Sequence, residues 1–249
     1  HEDLPAFLRY NLNDARLVDA ILAKKRLVPL CVRQSLLTGM APDRTGASIA
    51  SFDFLYLTEL HRRGMVGPTT RAARPPAPTA GGFVLSTRPG IYDEVAVLDY
   101  RSLYPSIIRT FRLDPLSLIR EGTPGPPGAE PPATEGITVA PNGARFRRAG
   151  GILPELLDRL FPEREKALAA GDLTGATALK ILMNSFYGVL ATPRCRFYSP
   201  ETANAITSFG QQTLLWTRET IEAGGRRVLY GDTDSIFVEL ETGRTGGVA

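Results

Sequence analysis

Hydrophobic residues follow different spacings in successive stretches of this chain, and those spacings set out its elements. From Leu4 to about Arg63 apolar positions recur at helical intervals, as at Leu12, Leu17, Val18, Ile21 and Leu22, with little β-branched alternation, which predicts two or three helices. A run rich in Pro, Ala and Arg, Pro68 to Gly82, breaks that spacing and predicts a loop or extended connector. Phe83-Val84-Leu85 and Val95-Ala96-Val97-Leu98 then read as short buried strands, the second ending at Asp99, with a helix to follow from Ser102 to Thr110.

The second half alternates again between loop, helix and strand. Glu121 to Pro132 holds five prolines and three glycines and predicts a surface excursion without regular structure. Leu153 to Ala170 and Leu173 to Leu190 carry helical spacing and meet at Gly171-Asp172, a helical hairpin whose first arm Pro162 should kink or divide. A further helix is expected from about Pro200 to Ala223, and Arg226 to Leu240 reads as a β-hairpin around Gly231-Asp232-Thr233-Asp234. No repeat at solenoid-like periods is present.

Composition narrows the class only a little. The chain has 249 residues, 43% of them hydrophobic, enough to bury a substantial core in one large domain or two or three smaller units. A formal charge of +3 suits a polyanionic partner without requiring one. Most of the 29 basic residues are Arg, whose planar fork grips phosphate oxygens in pairs, though base composition of the source accounts for that equally well. Cys31 and Cys195 stand far apart in no CxxC pair, so neither a disulfide framework nor a structural zinc is indicated, and a reducing cytoplasm suits them. No apolar run is long enough to span a bilayer, and His1-Glu2-Asp3-Leu4-Pro5 carries no signal-peptide pattern. The chain lacks an initiator Met and stops soon after an expected strand, and it is therefore expected to be a piece of something longer.

Three groups of residues carry candidate chemistry. Asp99 ends a strand that reads as buried, where a carboxylate is costly unless paired or bound to metal; taken alone, it reads first as a turn or helix-capping residue. Tyr230-Gly231-Asp232-Thr233-Asp234-Ser235 brings two carboxylates to a hairpin tip, and Asp in a hairpin turn is by itself ordinary. Together, a strand-end Asp and a hairpin-tip Asp can cradle two hard divalent cations about 4 Å apart, the arrangement used for in-line displacement at phosphorus. His1 and His61 are the only histidines, so no cluster competes for a softer metal. In the third group Lys180, Asn184 and Tyr187 fall at i, i+4 and i+7 on one helix face, beside an apolar stripe of Leu179, Met183, Phe186 and Leu190. That polar row is either a solvated face or a holder for a triphosphate and a base pair.

The stretch Asp99-Tyr100-Arg101-Ser102-Leu103-Tyr104-Pro105-Ser106-Ile107-Ile108 resembles the first polymerase motif of the family B DNA polymerases. Lys180-Ile181-Leu182-Met183-Asn184-Ser185-Phe186-Tyr187-Gly188 resembles the second and Tyr230 to Ser235 the third, in the family's order. Thr110-Phe111-Arg112-Leu113-Asp114-Pro115 and Cys195-Arg196-Phe197 are most similar to bacterial members. The likeness covers nearly the whole chain and is weakest from Glu121 to Ala149. It implies an α+β fold: a polymerase palm with a mixed or antiparallel sheet, a helical-hairpin fingers insertion, and an N-terminal helical remnant of an exonuclease domain. The corresponding parts are residues 1–30, the end of the 3′–5′ exonuclease domain; 31–82, a helical linker; 83–150 and 192–249, the two parts of the palm; and 151–191, the fingers. A thumb is expected to be absent.

The resemblance also implies roles. Asp99 and Asp234 match the carboxylates that bind two Mg²⁺ ions, with Mn²⁺ able to substitute, Asp232 matches a less direct neighbour, and the Tyr100 carbonyl completes one shell. Backbone amides near Ser102 and Leu103 would meet the triphosphate, and Tyr104 matches the ring under the incoming sugar that excludes a ribose 2′-OH. Arg164, Lys180 and Asn184 match triphosphate contacts, Lys180 also as a proton donor to the leaving pyrophosphate, while Tyr187 and Gly188 would lie against the nascent base pair. Tyr10-Asn11-Leu12-Asn13-Asp14 resembles the third exonuclease motif, with Tyr10 and Asp14 one turn apart; its companion motifs are not in this sequence, so proofreading is not expected. The activity implied is template-directed DNA synthesis, transfer of a nucleotide from a dNTP to a primer 3′-OH. Its setting would be repair or replication in the bacterial cytoplasm at the nucleoid, on primer-template DNA, with a sliding clamp reached through a C-terminal segment. The alternative is a folded fragment that binds DNA or nucleotide without turnover. Reverse transcriptases place their hairpin carboxylates side by side, whereas Thr233 separates them here, and a nuclease has little use for the helix of Lys180 to Gly188.

Overall fold

The N-terminal third folds as three helices because its apolar residues repeat at helical intervals and each helix has a local stop or start. The computed structural model describes residues 3–70, 75, 77–120 and 136–240. Helix α1, Leu4–Lys24, begins where the Asp3 carboxylate accepts from the Ala6 amide (2.9 Å), and α2, Leu27–Thr38, ends at Gly39 in the left-handed region (φ 66°). Helix α3, Ser48–Arg62, turns Phe52, Tyr56 and Leu60 into the core at four-residue steps. By contrast α1 buries no residue, and its apolar positions, from Leu4 and Phe7 to Val18 and Ile21, are exposed.

Two small antiparallel sheets and four helices make up the rest. Strand β1, Val95–Asp99, is followed by α4, Leu103–Phe111, then β2, Leu118–Ile119, β3, Ile137–Val139, and β4, Arg145–Arg147. Next come α5, Ile152–Ala169, α6, Leu173–Leu190, and α7, Pro200–Ala223, and the hairpin β5, Val228–Asp232, with β6, Ser235–Glu239. The sheets have the orders β1-β6-β5 and β2-β4-β3. The chain is thus α+β with antiparallel sheets, as expected, and α6, α7 and the hairpin lie where the apolar spacing put them. Glu121 to Pro132 lies outside the described residues.

Two expectations fail, and one of the two alternatives offered at Pro162 is ruled out. Phe83–Leu85 is not a strand of its own; only Val84 bridges, to Asp232, while the Leu85 and Arg88 amides reach the carbonyls of Gly231 (2.8 Å) and Leu229 (2.9 Å). The segment is a strap along β5, which leaves it free to curve under the hairpin. Strand β1 is not buried: as an edge strand it exposes Val95, Val97, Leu98 and Asp99, so the burial cost first read at Asp99 does not apply. Pro162 sits inside α5 without dividing it; Leu153, Leu156 and Leu157, buried on its N-terminal side, anchor the helix, and one missing N–H does not end it. The β2-β4-β3 sheet was not foreseen, since strands of two or three residues are too short to reveal a period.

The main core joins α3 to α7 through Phe52, Tyr56, Ile108, Leu157, Met183, Phe186 and Ile206, and a smaller one, with Leu214, Val228, Ile236 and Val238, backs the β1-β6-β5 sheet. Within the main core lies Asp114, fully buried. Its carboxylate accepts from the Tyr56 hydroxyl, the Leu116 amide and the Leu153 amide, each at 2.7 Å, and so caps the start of α5 from the end of α4. Neither cysteine is in a disulfide, and no described helix is long and apolar enough to cross a membrane.

Candidate active site

The β1-β6-β5 sheet brings Asp99 and Asp234 to one place. Asp99 pairs with Ser235 across the β1–β6 ladder, and the Tyr100 amide donates to the Asp234 carbonyl (2.8 Å). Between the hairpin carboxylates Thr233 takes a left-handed conformation (φ 56°), which a β-branched residue rarely adopts. Its amide donates to the Phe83 carbonyl (2.9 Å) and its hydroxyl to Asp232 Oδ1 (2.9 Å). Gly82 runs so close that a Cβ there would fall 2.0 Å from Thr233 Oγ1. The strap of Gly82 and Phe83 therefore holds the strained tip that carries Asp234.

Helix α4 starts beside these carboxylates. Ser102 enters it in the left-handed region (φ 53°) without capping it, and its hydroxyl is buried with no partner. The first intrahelical bond runs from Ser106 to the Ser102 carbonyl (2.9 Å). The amides of Leu103 and Tyr104 have no acceptor one turn back, and Pro105 has no N–H to offer, so the first turn presents two donors and a positive helix end.

Opposite stands the α5–α6 hairpin. It completes a cleft of about 380 Å³ lined by Asp99, Tyr100, Ser102, Leu103, Tyr104, Arg164, Lys180, Asn184 and Asp234, together with Arg101, Pro105 and Thr233. Arg164, on α5, has Nε and Nη1 buried with no hydrogen-bond partner. Its neighbour Glu165 is engaged elsewhere, accepting from Arg101 at 2.7 Å. Lys180 and Asn184, one turn apart on α6, are exposed to the cleft. Buried guanidinium nitrogens without an acceptor are costly, and an anion in the cleft would remove the cost.

Electrostatics mark the acidic side. Burial, then the charges of Asp99 and Asp232, push the Asp234 carboxyl above the usual range, against the pull of its own backbone hydrogen bond and of Lys180. A carboxyl raised in this way by neighbouring negative charge is relieved by a cation, and Asp99 and Asp234, with main-chain carbonyls, offer the all-oxygen donors that Mg²⁺ takes. Among the described residues no group of three or more His, Cys, Asp or Glu side chains is placed to hold a metal. Asp232 is turned to its own strand, accepting from Thr233 on one oxygen and from the Tyr230 hydroxyl (3.3 Å) on the other, and it does not line the cleft. The Tyr104 hydroxyl is pushed up to about 12 by burial, then by Tyr187, Asp234 and Asp232, so it stays protonated at any working pH.

Tyr187 and Gly188 lie off the cleft lining, although the Tyr187 ring meets the Tyr104 ring with centroids 4.6 Å apart and its hydroxyl reaches the Ala80 carbonyl (3.3 Å). Tyr10 and Asp14 are exposed on α1 and take no part in the cleft. Arg101 and Thr233 line the cleft although sequence reasoning gave them no role; both stand inside the motifs, adjacent to residues that were singled out.

Comparisons with known proteins identify the family of the chain. A model of DNA polymerase family B matches residues 44–248. The chain is 44% identical over 240 residues to DNA polymerase II of Escherichia coli (strain K12), covering 96% of this chain and 30% of that protein. It is 32% identical over 259 residues to a DNA polymerase of Thermococcus gorgonarius, covering 96% of this chain and 32% of that one. The structure of the family B DNA polymerase from the hyperthermophilic archaeon Pyrobaculum calidifontis superposes with a TM-score of 0.75 at 31% identity, over 96% of this chain and 32% of the other. The chain thus spans less than a third of the length of these curated relatives.

Proposed function

The chain belongs to DNA polymerase family B, and from that premise we propose that it is the palm and fingers portion of a longer enzyme that performs template-directed DNA synthesis, adding a nucleotide from a dNTP to a primer 3′-OH. The observation that carries the reading is half-buried Arg164, whose buried Nε and Nη1 find no partner among the described residues, lining one cleft with Asp99 and Asp234. One wall is cationic and the other anionic, which suits a triphosphate bound with its counter-cations.

The residues divide the work. Arg164, Lys180 and Asn184, with the free amides at the start of α4, bind and orient the triphosphate. Lys180 delivers a proton to the leaving pyrophosphate oxygen. Tyr104 closes the floor under the sugar against a 2′-OH, and Tyr187 backs it while Gly188 leaves space for the base pair. Two Mg²⁺ ions, or Mn²⁺ in their place, held by Asp99, Asp234 and the Tyr100 carbonyl with Asp232 as an outlying neighbour, would lower the pKa of the 3′-OH and neutralise the departing charge. Residues 83–150 and 192–249 form the palm, 151–191 the fingers, 31–82 a linker, and 1–30 the end of an exonuclease domain to which Tyr10 and Asp14 belong. Primer-template DNA is the partner, a sliding clamp is reached from elsewhere in the enzyme, and the setting is repair or replication at the bacterial nucleoid.

Primer extension tests this. In the longer enzyme Asp99→Asn should lower synthesis by roughly 10²-fold or more while leaving the melting temperature unchanged. Full synthesis by that variant would end the two-metal reading. A second reading is a portion that binds nucleotide without turnover, favoured by the short span, because grip on a duplex needs many phosphate contacts. Nucleotide binding without extension by residues 1–249 would support it for this portion alone.

A further inference from the structure

Glycine is a poor residue for the interior of a helix, yet Gly210 sits in the middle of α7. Its surroundings supply a reason. An added Cβ would lie 3.3 Å from Tyr104 Cε1, 3.6 Å from Leu103 Cδ2 and 3.7 Å from Ile107 Cδ1, all on α4. The two helices are held at this separation one residue earlier, where Phe209 stacks on Phe111 with ring centroids 3.8 Å apart and planes 8° from parallel. Helix α7 therefore cannot retreat cheaply to make room. Of the three neighbours the Tyr104 ring is the nearest, and it borders the cleft.

We infer that Gly210 sets how deeply the Tyr104 ring reaches into the cleft, and is therefore a positioning residue for selection of the nucleotide sugar. This rests on the reading of Tyr104 given above. A methyl at position 210 presses on the ring from the α7 side; the ring also packs on Tyr187, with centroids 4.6 Å apart, and borders the cleft, into which it is displaced. The room left for a 2′-OH shrinks, while a deoxyribose, lacking that oxygen, is affected less. Helix propensity changes in the opposite sense, since alanine favours α7, so a defect in folding is not the expected outcome.

The experiment is single-nucleotide primer extension by the longer polymerase, comparing a deoxynucleotide with its ribonucleotide counterpart, in wild type, Gly210→Ala, Tyr104→Ala and the double variant, with thermal melts alongside. Gly210→Ala should raise the ratio of kcat/KM for deoxynucleotide over ribonucleotide by at least about threefold, chiefly through the ribonucleotide KM. Adding Gly210→Ala to Tyr104→Ala should leave the ratio where Tyr104→Ala alone put it, because the effect travels through the ring. An unchanged or lower ratio in the single variant overturns the inference, as does an equal rise in the Tyr104→Ala background. Tyr104→Ala by itself should collapse discrimination; if it does not, the reading of Tyr104 falls and the inference with it, whereas a collapse together with no effect of Gly210→Ala sinks the inference alone. Should Gly210→Ala lower the melting temperature sharply, the same comparison is made with Ile107→Val added, which removes the Cδ1 nearest to the new methyl after Tyr104 and Leu103.

Discussion

Two charged groups meet helix α5, Asp114 against its first turn and Arg164 further along, and their surroundings are opposite. Asp114 is fully buried and receives three hydrogen bonds at 2.7 Å, from Tyr56, Leu116 and Leu153. Arg164 has two buried nitrogen atoms and no partner for either. A polar group taken out of water must recover its hydrogen bonds or remain a standing cost. Asp114 recovers them within the chain, so it works for the fold. Arg164 finds none for Nε and Nη1 among the described residues, which leaves them available to a bound group. The same helix is thus fixed to the main core at one end by a satisfied carboxyl group and offers unsatisfied guanidinium nitrogens to the cleft.

The sharpest way to break that contrast is to delete each group. Asp114→Ala leaves three buried donors unpaired and should destabilise the protein by roughly 3–5 kcal/mol in denaturant unfolding, with activity lost only as the fold is lost. Arg164→Ala should do the reverse. Stability without nucleotide should stay within about 0.5 kcal/mol, while nucleotide binding weakens by about 2–3 kcal/mol, read as a rise in KM of roughly 30- to 150-fold. A fall in melting temperature with KM unmoved would show that Arg164 serves the fold and would remove the chief support for the triphosphate reading.

Titration separates the two groups again. Burial pushes the Asp114 carboxyl above its ordinary value, opposed by hydrogen bonds from the Leu153 amide, the Tyr56 hydroxyl and the Leu116 amide. A raised carboxyl pKa means that the folded state holds a proton the unfolded state has released, so its stabilising contribution is present at acid pH and is lost as pH rises through the raised value. Wild-type stability relative to Asp114→Asn should therefore decline with rising pH from the ordinary carboxylate range upward, measured by denaturant unfolding at each pH. A difference that is flat, or that grows with pH, would mean that the hydrogen bonds outweigh burial and that Asp114 is held as a carboxylate.

How much of this could be read in advance differs between these two positions. Helices α6 and α7 and the β5–β6 hairpin were legible because long apolar stripes and turn residues mark them, and Asp99 and Asp234 were legible because two carboxylates at a strand end and a hairpin tip are conspicuous together. Arg164 was placed only by resemblance to known motifs, since Arg159 and Lys166 on the same helix carry the same kind of charge. Its lack of a partner is a fact of packing. Asp114 gave no signal of its burial: a lone Asp before Pro115 reads as a turn, and nothing local says that Tyr56 and Leu153, far away in sequence, converge on it. The exposure of β1 was misread for a related reason, because an apolar run does not say whether a strand lies inside or at the edge of its sheet.

Between the extremes stands Arg101, which lines the cleft as Arg164 does but is paired, to Glu165 at 2.7 Å, with both side chains more than half exposed. An exposed pair gains little, because water screens the attraction and two long side chains lose freedom in making it. Glu165→Gln should accordingly cost less than about 1 kcal/mol of stability, and less still at high salt. It also leaves Arg101 unpaired beside the cleft, a second cation in water rather than in the protein interior, so the nucleotide KM should shift by no more than about twofold. Steady-state kinetics at low and high salt decide the matter. If KM moves tenfold, an exposed cation contributes as much as a buried one, and being unpartnered, rather than being unpartnered and buried, would be what marks a phosphate ligand in this cleft.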